Sequence, residues 1–518
     1  MPRTFCIAGP IVPEKHYFLP HRLDWDQLNS FIENQFYFVL HAPRQSGKTT
    51  AIREYVHYLN HVNQKYTTLY LSTEPAHSVK NDVQKAMFWL LVQLKTEITK
   101  QLDNQLEIID HLEHILSEPV IREDSFFNFL HYWAEFNPKS IVLFLDEIDG
   151  LVADPLIALL KQLRTGYSDR PKHFPQSVCL IGVRDLRDYK IKSKEHLEHG
   201  VLYSPFNIKA ESIRLPDFSE EEVKTLYLQH TQETGQIFTA DAISYAYYLT
   251  HGQPWLVNAL AYQACFRDVL DRSVRIDRDI IDIAKDKLIA RRDTHIDALF
   301  DRLNDGRVRG VLDAIISGKT EISSFNPDDL QYVRDLGLLK ENSLEIANPI
   351  YQEIIPRTLV DTVQQMIPNT MANYLDNANT LNMHKLLIGF TQFFRENAEV
   401  WGPKFQYQES MPHLLLMAFL QRVINGGGTV HREYALGRKR VDLLVTWKNK
   451  KYVIEIKIKR DSNTLDKGLI QTAEYMDIAG TEDGHLVIFD RDPNKTWEEK
   501  ISTRIEKIDN KKIYVYQL

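Results

Sequence analysis

Cysteine is scarce here: the 518 residues include only Cys6, Cys179 and Cys265, an odd number without CxxC spacing. This excludes a disulfide-stapled fold and a cysteine-held metal site, and it fits a reducing, cytoplasmic setting. Long apolar runs are missing too, since none approaches the ~20 residues that span a bilayer. The amino terminus, MPRTFCIAGPIVPEKHYF, lacks the basic start and apolar stretch of a secretory signal. No excess of positive charge marks the whole chain as a polyanion binder, because 62 Lys and Arg stand against 70 Asp and Glu. What remains is an ordinary globular composition, 43% hydrophobic and 25% charged. The chain is too long for one core, and roughly three or four domains are expected.

The charge is unevenly spread. From position 401 onward there are 20 Lys and Arg against 16 Asp and Glu, so the carboxyl-terminal part is basic and the rest acidic. In RVDLLVTWKNKKYVIEIKIKR, seven basic residues surround only Asp442 and Glu455. Such a patch suits phosphate contact, and equally suits a strand edge that lysines protect from aggregation.

The run FYFVLHAPRQSGKTTAIREYVHYL reads as a buried strand, a tight loop and an amphipathic helix. APRQSGKT fits the phosphate-loop pattern with Ala42 in place of its first glycine. In this pattern Arg44, Gln45, Ser46 and Gly47 form the loop that wraps phosphate with backbone N–H groups. Lys48 supplies a cation for the outer phosphates, Thr49 a hydroxyl ligand for Mg²⁺, and Thr50 follows in the helix. About a hundred residues later IVLFLDEIDG supplies an apolar strand ending in carboxylates. Asp146 is expected in the Mg²⁺ shell, and Glu147 beside the attacking water. TTLYLST and SVCLIGV add strands, so an open parallel sheet with its ligand at the carboxyl edge is expected. Arg184, just past SVCLIGV, either faces the terminal phosphate or pairs with Asp185 or Asp188.

The order APRQSGKTT, IVLFLDEID, LIGVRD and HGQPWLVNAL resembles prokaryotic AAA-like and STAND-type P-loop ATPases with an ORC/Cdc6-like arrangement. That resemblance implies ATP and Mg²⁺ as cofactors and a lid motif at Gly252, Gln253 and Pro254 touching the nucleotide. Trp255 stands near the place where initiator-type relatives carry a lid arginine, which favours a STAND-like switch. Arg291 and Arg292 are candidates for a trans-acting arginine, and His16 and Tyr17 for the neighbourhood of the base.

Farther along, Ser219 in LPDFSEEEVKTLYLQH is a helix N-cap followed by acidic first-turn residues. VRGVLDAIISG, DDLQYVRDLGLLK and LEIANPI resemble a winged helix. Asp328, Asp329 and Asp335 around the lone Arg334 oppose phosphate contact there, so a packing or regulatory module is expected.

In KYVIEIKIKR side chains alternate with period two, setting Ile454, Ile456 and Ile458 on one face and Glu455, Lys457 and Lys459 on the other. Hairpin pairing with RVDLLV brings Asp442 opposite Glu455. Two carboxylates that bind a divalent metal and a lysine beside them suffice for phosphodiester cleavage. An isolated Glu-x-Lys strand is more often structural. Here a helix with Glu409 precedes the pair, and a helix with Gln471 and Tyr475 four apart follows it. The order helix, strand, Asp strand, Glu-x-Lys strand, helix, strand resembles PD-(D/E)XK nucleases, and the Gln471–Tyr475 pair resembles their RecB-like branch. The resemblance implies Asp442 and Glu455 as metal ligands and Lys457 as the catalytic lysine. Glu409 becomes an outer or third carboxylate, with Glu433 a less secure addition, and Gln471 and Tyr475 contact the DNA end or order the site.

The expected architecture is multidomain α/β: a P-loop ATPase core at 1–215, a helical lid at 216–300, a winged-helix-like domain at 301–360, a helical connector at 361–400, and an α/β/α restriction-endonuclease-like domain at 401–518. The expected function is an ATP-regulated, Mg²⁺-dependent DNA nuclease of the cytoplasm, with Mn²⁺ the alternative metal and RNA the alternative substrate. It is expected to oligomerise on ATP binding, to have no membrane partner, and to act in anti-phage or mobile-element defence. The alternative is a nucleotide-dependent switch or DNA-binding regulator whose nuclease-like domain is non-catalytic.

Overall fold

The computed structural model describes residues 3–518 except 80, 104, 152–153, 184–208, 292–298, 300, 304, 317–321, 360–373, 377–379, 402–415, 418, 421–423, 425–427, 437–438, 460–462, 491 and 493–494. Among the described residues no helix is long and apolar enough to cross a membrane. The chain divides into two compact units, Met1–Ala298 with Asn326–Ile350, and Leu299–Phe325 with Tyr351–Leu518.

In the first unit, strands β1 (Tyr37–His41), β2 (Thr67–Ser72), β3 (Ile141–Asp146), β4 (Ser177–Gly182) and β5 (Lys209–Arg214) form a sheet in the order β2-β3-β4-β1-β5. All its pairings are parallel. A parallel sheet is covered on both faces, so its strands read as unbroken apolar runs whose alternate residues serve opposite cores. Tyr37 and Val39 of β1 join Leu143, Leu145, Val178 and Leu180 in one core. Helices α3 (Val83–Gln101), α4 (Leu106–Leu116), α5 (Ser125–Phe136) and α6 (Asp154–Thr165) cover that face with Leu90, Ile108, Trp133 and Leu159. Phe38 and Leu40 point the other way, with Phe144, Cys179 and Ile181, onto α1 (Trp25–Glu33) and α2 (Lys48–Tyr58). Each fully buried Leu, Ile or Phe contributes roughly 1.5–3 kcal/mol. Cys179 is therefore a core residue, and Cys6 and Cys265 are buried as well.

The lid consists of α7 (Glu220–Thr234), α8 (Ala240–Thr250), α9 (Pro254–Gln263) and α10 (Arg278–Arg291). Ser219 and Glu222 close a capping box at the start of α7. The amino-terminal leader is fastened to this lid rather than left loose. Arg3 pairs with Glu233 at 2.9 Å, and Phe5 sits among Tyr17, Tyr227, His230 and Phe266. The Trp255 indole N–H donates to the Ile7 carbonyl at 2.8 Å.

The expected winged-helix region is divided between the units. Helix α11 (Gly306–Ile316) belongs to the second unit, while α12 (Pro327–Asp335) and the Leu339–Ile346 bridge belong to the first. The physical reason lies in their contacts: Ala347 accepts from the His251 ring at 2.6 Å, and Glu341 pairs with Arg214 at the end of β5.

In the second unit, following α13 (Pro349–Leu359) and α14 (Met383–Trp401), strands β6 (Gly428–Leu436), β7 (Lys439–Trp447), β8 (Lys450–Ile458), β9 (Asp483–Phe489), β10 (Ser502–Ile508) and β11 (Lys511–Gln517) build a mixed sheet in the order β10-β11-β9-β8-β7-β6. β6, β7 and β8 are successively antiparallel, and α15 (Thr464–Ala479) carries the chain across to β9, parallel to β8. Leu469, Ala473 and Met476 of α15 pack on Leu486, Ile488, Ile513 and Val515. Phe390 and Phe394 of α14 meet Phe489 edge to face, its side chain leaving the opposite face. The result is three layers, helix, sheet and helix. α14 falls in the stretch expected to be a polar connector, yet its apolar stripe makes it one of those layers.

Candidate functional site

The phosphate loop begins where β1 ends. Ala42 and Pro43 are buried, and Gly47 adopts φ +89° at the start of α2, a left-handed conformation that glycine takes without steric cost. Lys48 turns its ammonium back over the loop, donating to the carbonyls of Ala42 at 2.7 Å and Pro43 at 2.8 Å. Burial of the ammonium pulls its pKa down to about 8, and Asp146 and Asp149 oppose that shift. Arg44 and Gln45 are exposed at the loop's outer edge, Ser46 is buried, and Thr50 continues into α2 half-buried.

Asp146 ends β3 almost fully buried, with its oxygens held from three directions. Thr49 donates to Oδ2 at 2.7 Å, the Tyr70 hydroxyl to the same oxygen at 2.8 Å, and the Glu147 N–H to Oδ1 at 2.8 Å. Thr49 and Asp146, the two expected Mg²⁺ ligands, are thus in direct contact, and the donor set of hydroxyl and carboxylate suits a hard cation. Glu147 is exposed next to them. Packing around its carboxyl raises its pKa, and Glu74, Asp146 and Asp149 push the same way against Arg44. At the neighbouring strand end the Val183 N–H donates to Asp149 at 3.1 Å.

Arg22 completes the loop's surroundings, although no motif marks it. Its guanidinium donates to the Ser46 carbonyl at 2.7 Å and to the Pro216 carbonyl, and it lies 4.5 Å over the Phe218 ring. One planar cation therefore ties the phosphate loop to the entry of the lid. Phe218 in turn donates its N–H to the Gly252 carbonyl at 2.8 Å. Gln253 caps α9 by accepting from the Leu256 N–H at 2.6 Å, and Pro254 is buried at the first turn of that helix. Tyr17 is fully buried and hydrogen-bonds His230, while the His16 ring accepts from the Val12 N–H. Gly337, in the segment after α12, lies against the loop itself: a Cβ there would stand 2.6 Å from Pro43 Cγ. Arg184 and Arg292 fall outside the described residues, and Arg291 donates to Gln263 at 3.1 Å.

The second constellation lies in the other unit. β7 pairs with β8 from Leu443↔Ile454 onward, and the same register carried one step further sets Asp442 opposite Glu455. Asp442 accepts from the Ile456 N–H at 2.8 Å. Alternation alone predicts an outward Glu455, yet it is 1% exposed, because α15 lies over this face of the sheet. Its Oε1 takes a 2.6 Å hydrogen bond from Lys457, and its Oε2 has no partner among the described residues. Burial, then the Asp442 carboxylate, push its pKa up to about 7 against the pull of Lys457. Tyr475 is also buried, packed on Val441, Leu444 and Val453, and its hydroxyl accepts from Gln471 at 3.5 Å. Its pKa is raised by burial and by the nearby Glu455. Glu409 lies outside the described residues, as does the side chain of Glu433 on β6. Among the described residues no group of three His, Cys, Asp or Glu side chains could hold a metal ion. The pair Asp442 and Glu455 is what remains for one, and the bare Oε2 is an acceptor such an ion would fill.

A phosphate loop on a five-stranded parallel sheet, with Thr49 bonded to a strand-end aspartate, defines a P-loop nucleotide-binding ATPase core. The family of AAA-like domains matches residues 12–343, and the chain belongs to it. Residues 398–492 match a domain of unknown function, DUF8371. No curated protein matches. Solved structures that resemble it include a Walker-type ATPase of Pyrococcus abyssi, 13% identical over 68% of this chain and 99% of that one, with TM-score 0.46. The Thermotoga maritima RuvB Holliday junction branch migration motor is 15% identical over 63% of this chain and 91% of its own, with TM-score 0.33. The Aeropyrum pernix Orc1 protein in complex with DNA is 14% identical over 67% of this chain and 84% of its own, with TM-score 0.36.

Arg22→Ala is expected to weaken nucleotide binding about tenfold, the loss of one charge-assisted bond to the loop. Arg22→Lys is expected to restore little of it, since an ammonium cannot span both carbonyls; titration with a fluorescent nucleotide reads both. Glu455 predicts a pH effect on stability. A carboxyl whose folded pKa is raised binds more protons folded than unfolded, so stability falls as pH rises from its ordinary range near 4.5 to about 7. The fall in metal-free buffer is on the order of 2 kcal/mol, and Glu455→Gln is expected to abolish it in denaturant titrations across that range.

Proposed function

We propose that this chain is an ATP-regulated, Mg²⁺-dependent DNA nuclease, in which the AAA-like module controls a phosphodiesterase in the carboxyl-terminal unit. One observation carries the nuclease half: Glu455 is almost fully buried, with one oxygen on Lys457, the other bare, and Asp442 opposite. A buried carboxylate left partly unsatisfied is costly to folding, and such cost is characteristic of working sites. In this reading Asp442 and Glu455 hold a divalent ion, Mg²⁺ or Mn²⁺, and Glu409 is the outer or third carboxylate that the nuclease resemblance implies. When bound, that ion lowers the pKa of a coordinated water and polarises the phosphodiester. Lys457 orients the water and offsets developing charge. Tyr475, being buried, orders the site beside Glu455, and Gln471 at its hydroxyl faces the DNA. The strand order β6, β7, β8, then α15 and β9, supports the likeness to PD-(D/E)XK nucleases.

At the ATP site Lys48 contacts the outer phosphates, Thr49 and Asp146 the Mg²⁺, and Glu147 the attacking water; Arg184 and Pro254 complete the nucleotide contacts. Control by this site is supported by the segment that touches the loop. Gly337 packs on Pro43, and the chain on both sides of Asn326–Ile350 continues into the second unit. ATP binding then favours an active, self-associated form, and the STAND resemblance suggests a part in anti-phage or mobile-element defence. A nucleotide-dependent switch with a non-catalytic second unit is favoured by one observation, that the described residues offer only two carboxylates to a metal.

Linear DNA, circular DNA and RNA incubated with Mg²⁺ and either ATP or a non-hydrolysable analogue separate these readings. Cleavage of DNA by the wild type is expected to fall about 100-fold or more in Lys457→Ala, and to lose its ATP dependence in Lys48→Ala. A wild type that binds ATP and cuts no substrate supports the switch instead.

A further inference from the structure

Glu147 sits in a backbone conformation that its surroundings must enforce. Its φ of 60° and ψ of 32° lie in the left-handed region, which costs a residue with a Cβ roughly 1–2 kcal/mol. Such a conformation persists where neighbouring groups over-determine it, and it clusters at sites that need a side chain aimed. Four hydrogen bonds do this. The Glu147 N–H donates to Asp146 Oδ1 at 2.8 Å. Its carbonyl accepts from the Gly150 N–H at 2.9 Å, the Thr73 hydroxyl at 2.9 Å and His77 Nε2 at 3.1 Å. A carbonyl only accepts, so the imidazole carries its proton on Nε2 here.

Two of those four bonds come from outside the turn. Thr73 directly follows β2, is fully buried, and gives its own N–H to the Asp146 carbonyl at 2.9 Å. His77 lies on the short 3-10 turn Glu74–Val79. Its ring lies flat against Gly150, where an added Cβ would fall 1.8–2.1 Å from three ring atoms. Only glycine admits the imidazole at that distance. Fixing φ and ψ at Glu147 fixes its Cα–Cβ direction, and so the region its carboxylate can reach.

We propose that Thr73 and His77 are positioning residues that aim the Glu147 carboxylate during ATP hydrolysis, with Gly150 giving His77 its place. The inference rests on the proposed role of Glu147. In that step the water oxygen bonds to the terminal phosphorus as the bond to the bridging oxygen breaks, and the water's proton leaves through the Glu147 carboxylate. Lys48 and Thr49 take their bonds from other groups, the Ala42 and Pro43 carbonyls and Asp146, so ATP affinity is expected to change little when Thr73 or His77 is replaced.

Steady-state hydrolysis by the full chain, with ATP affinity measured alongside, tests this. Thr73→Val and His77→Phe are each expected to lower kcat about tenfold or more, the effect of a small misplacement of a reacting group, while KM and affinity stay within about twofold. His77→Phe keeps the ring against Gly150 without a donor, whereas the amide of His77→Gln can donate where Nε2 does. The glutamine variant is therefore expected to recover most of the lost kcat. Unchanged kcat in Thr73→Val and His77→Phe would overturn the proposal, as would equal activity in the phenylalanine and glutamine variants or a loss of affinity parallel to kcat. A wild type without turnover, or turnover indifferent to Glu147→Gln, strikes the hydrolysis reading itself and takes the proposal with it.

Discussion

The nucleotide site is organised around one carboxylate. Asp146 receives Thr49 from α2, Tyr70 from β2 and the N–H of the residue that follows it. A buried charge is tolerable when donors surround it, and here the donors come from three different elements. The helix that follows the phosphate loop, the neighbouring strand and the Glu147 turn are therefore all fixed with respect to the same two oxygens. Arg22 adds the loop's other anchor, joining Ser46 to the lid entry at Pro216 and Phe218.

The carboxylate in the second unit is held differently, and the difference is chemical. Glu455 is as deeply buried as Asp146, but its partners are one ammonium and an opposed carboxylate. Asp146 is satisfied within the fold, whereas Glu455 keeps a bare oxygen and an elevated pKa. The first arrangement stabilises a framework; the second leaves an acceptor unfilled and favours the protonated carboxyl. Between these chemistries runs a chain that leaves the second unit, lays Gly337 against the phosphate loop, and returns.

Local spacing made much of this legible. The strand, APRQSGKT loop and helix are contiguous, and IVLFLD announces a buried strand with a terminal carboxylate, so the parallel sheet and the Thr49–Asp146 pairing could be anticipated. The Asp442–Glu455 register followed from a short hairpin. Arg22 was not legible, because its partners lie 24 and 194 residues away and no pattern marks it. Tyr70 looked like one more apolar strand position. The burial of Glu455 was hidden because alternation says which face a residue occupies and not what covers that face; α15 does. Composition and motif shape describe helix α14 and the segment containing Gly337 only locally, and long-range packing decides where they belong.

The Mg²⁺ dependence of ATP affinity in wild type and Asp146→Asn, measured by calorimetry, bears most directly on the role of that carboxylate. Mg²⁺ is expected to strengthen ATP binding to the wild type and to have little effect on the variant, whose neutral amide is a poor ligand for a hard cation. Equal strengthening in both proteins would contradict the proposed role of Asp146 in holding Mg²⁺.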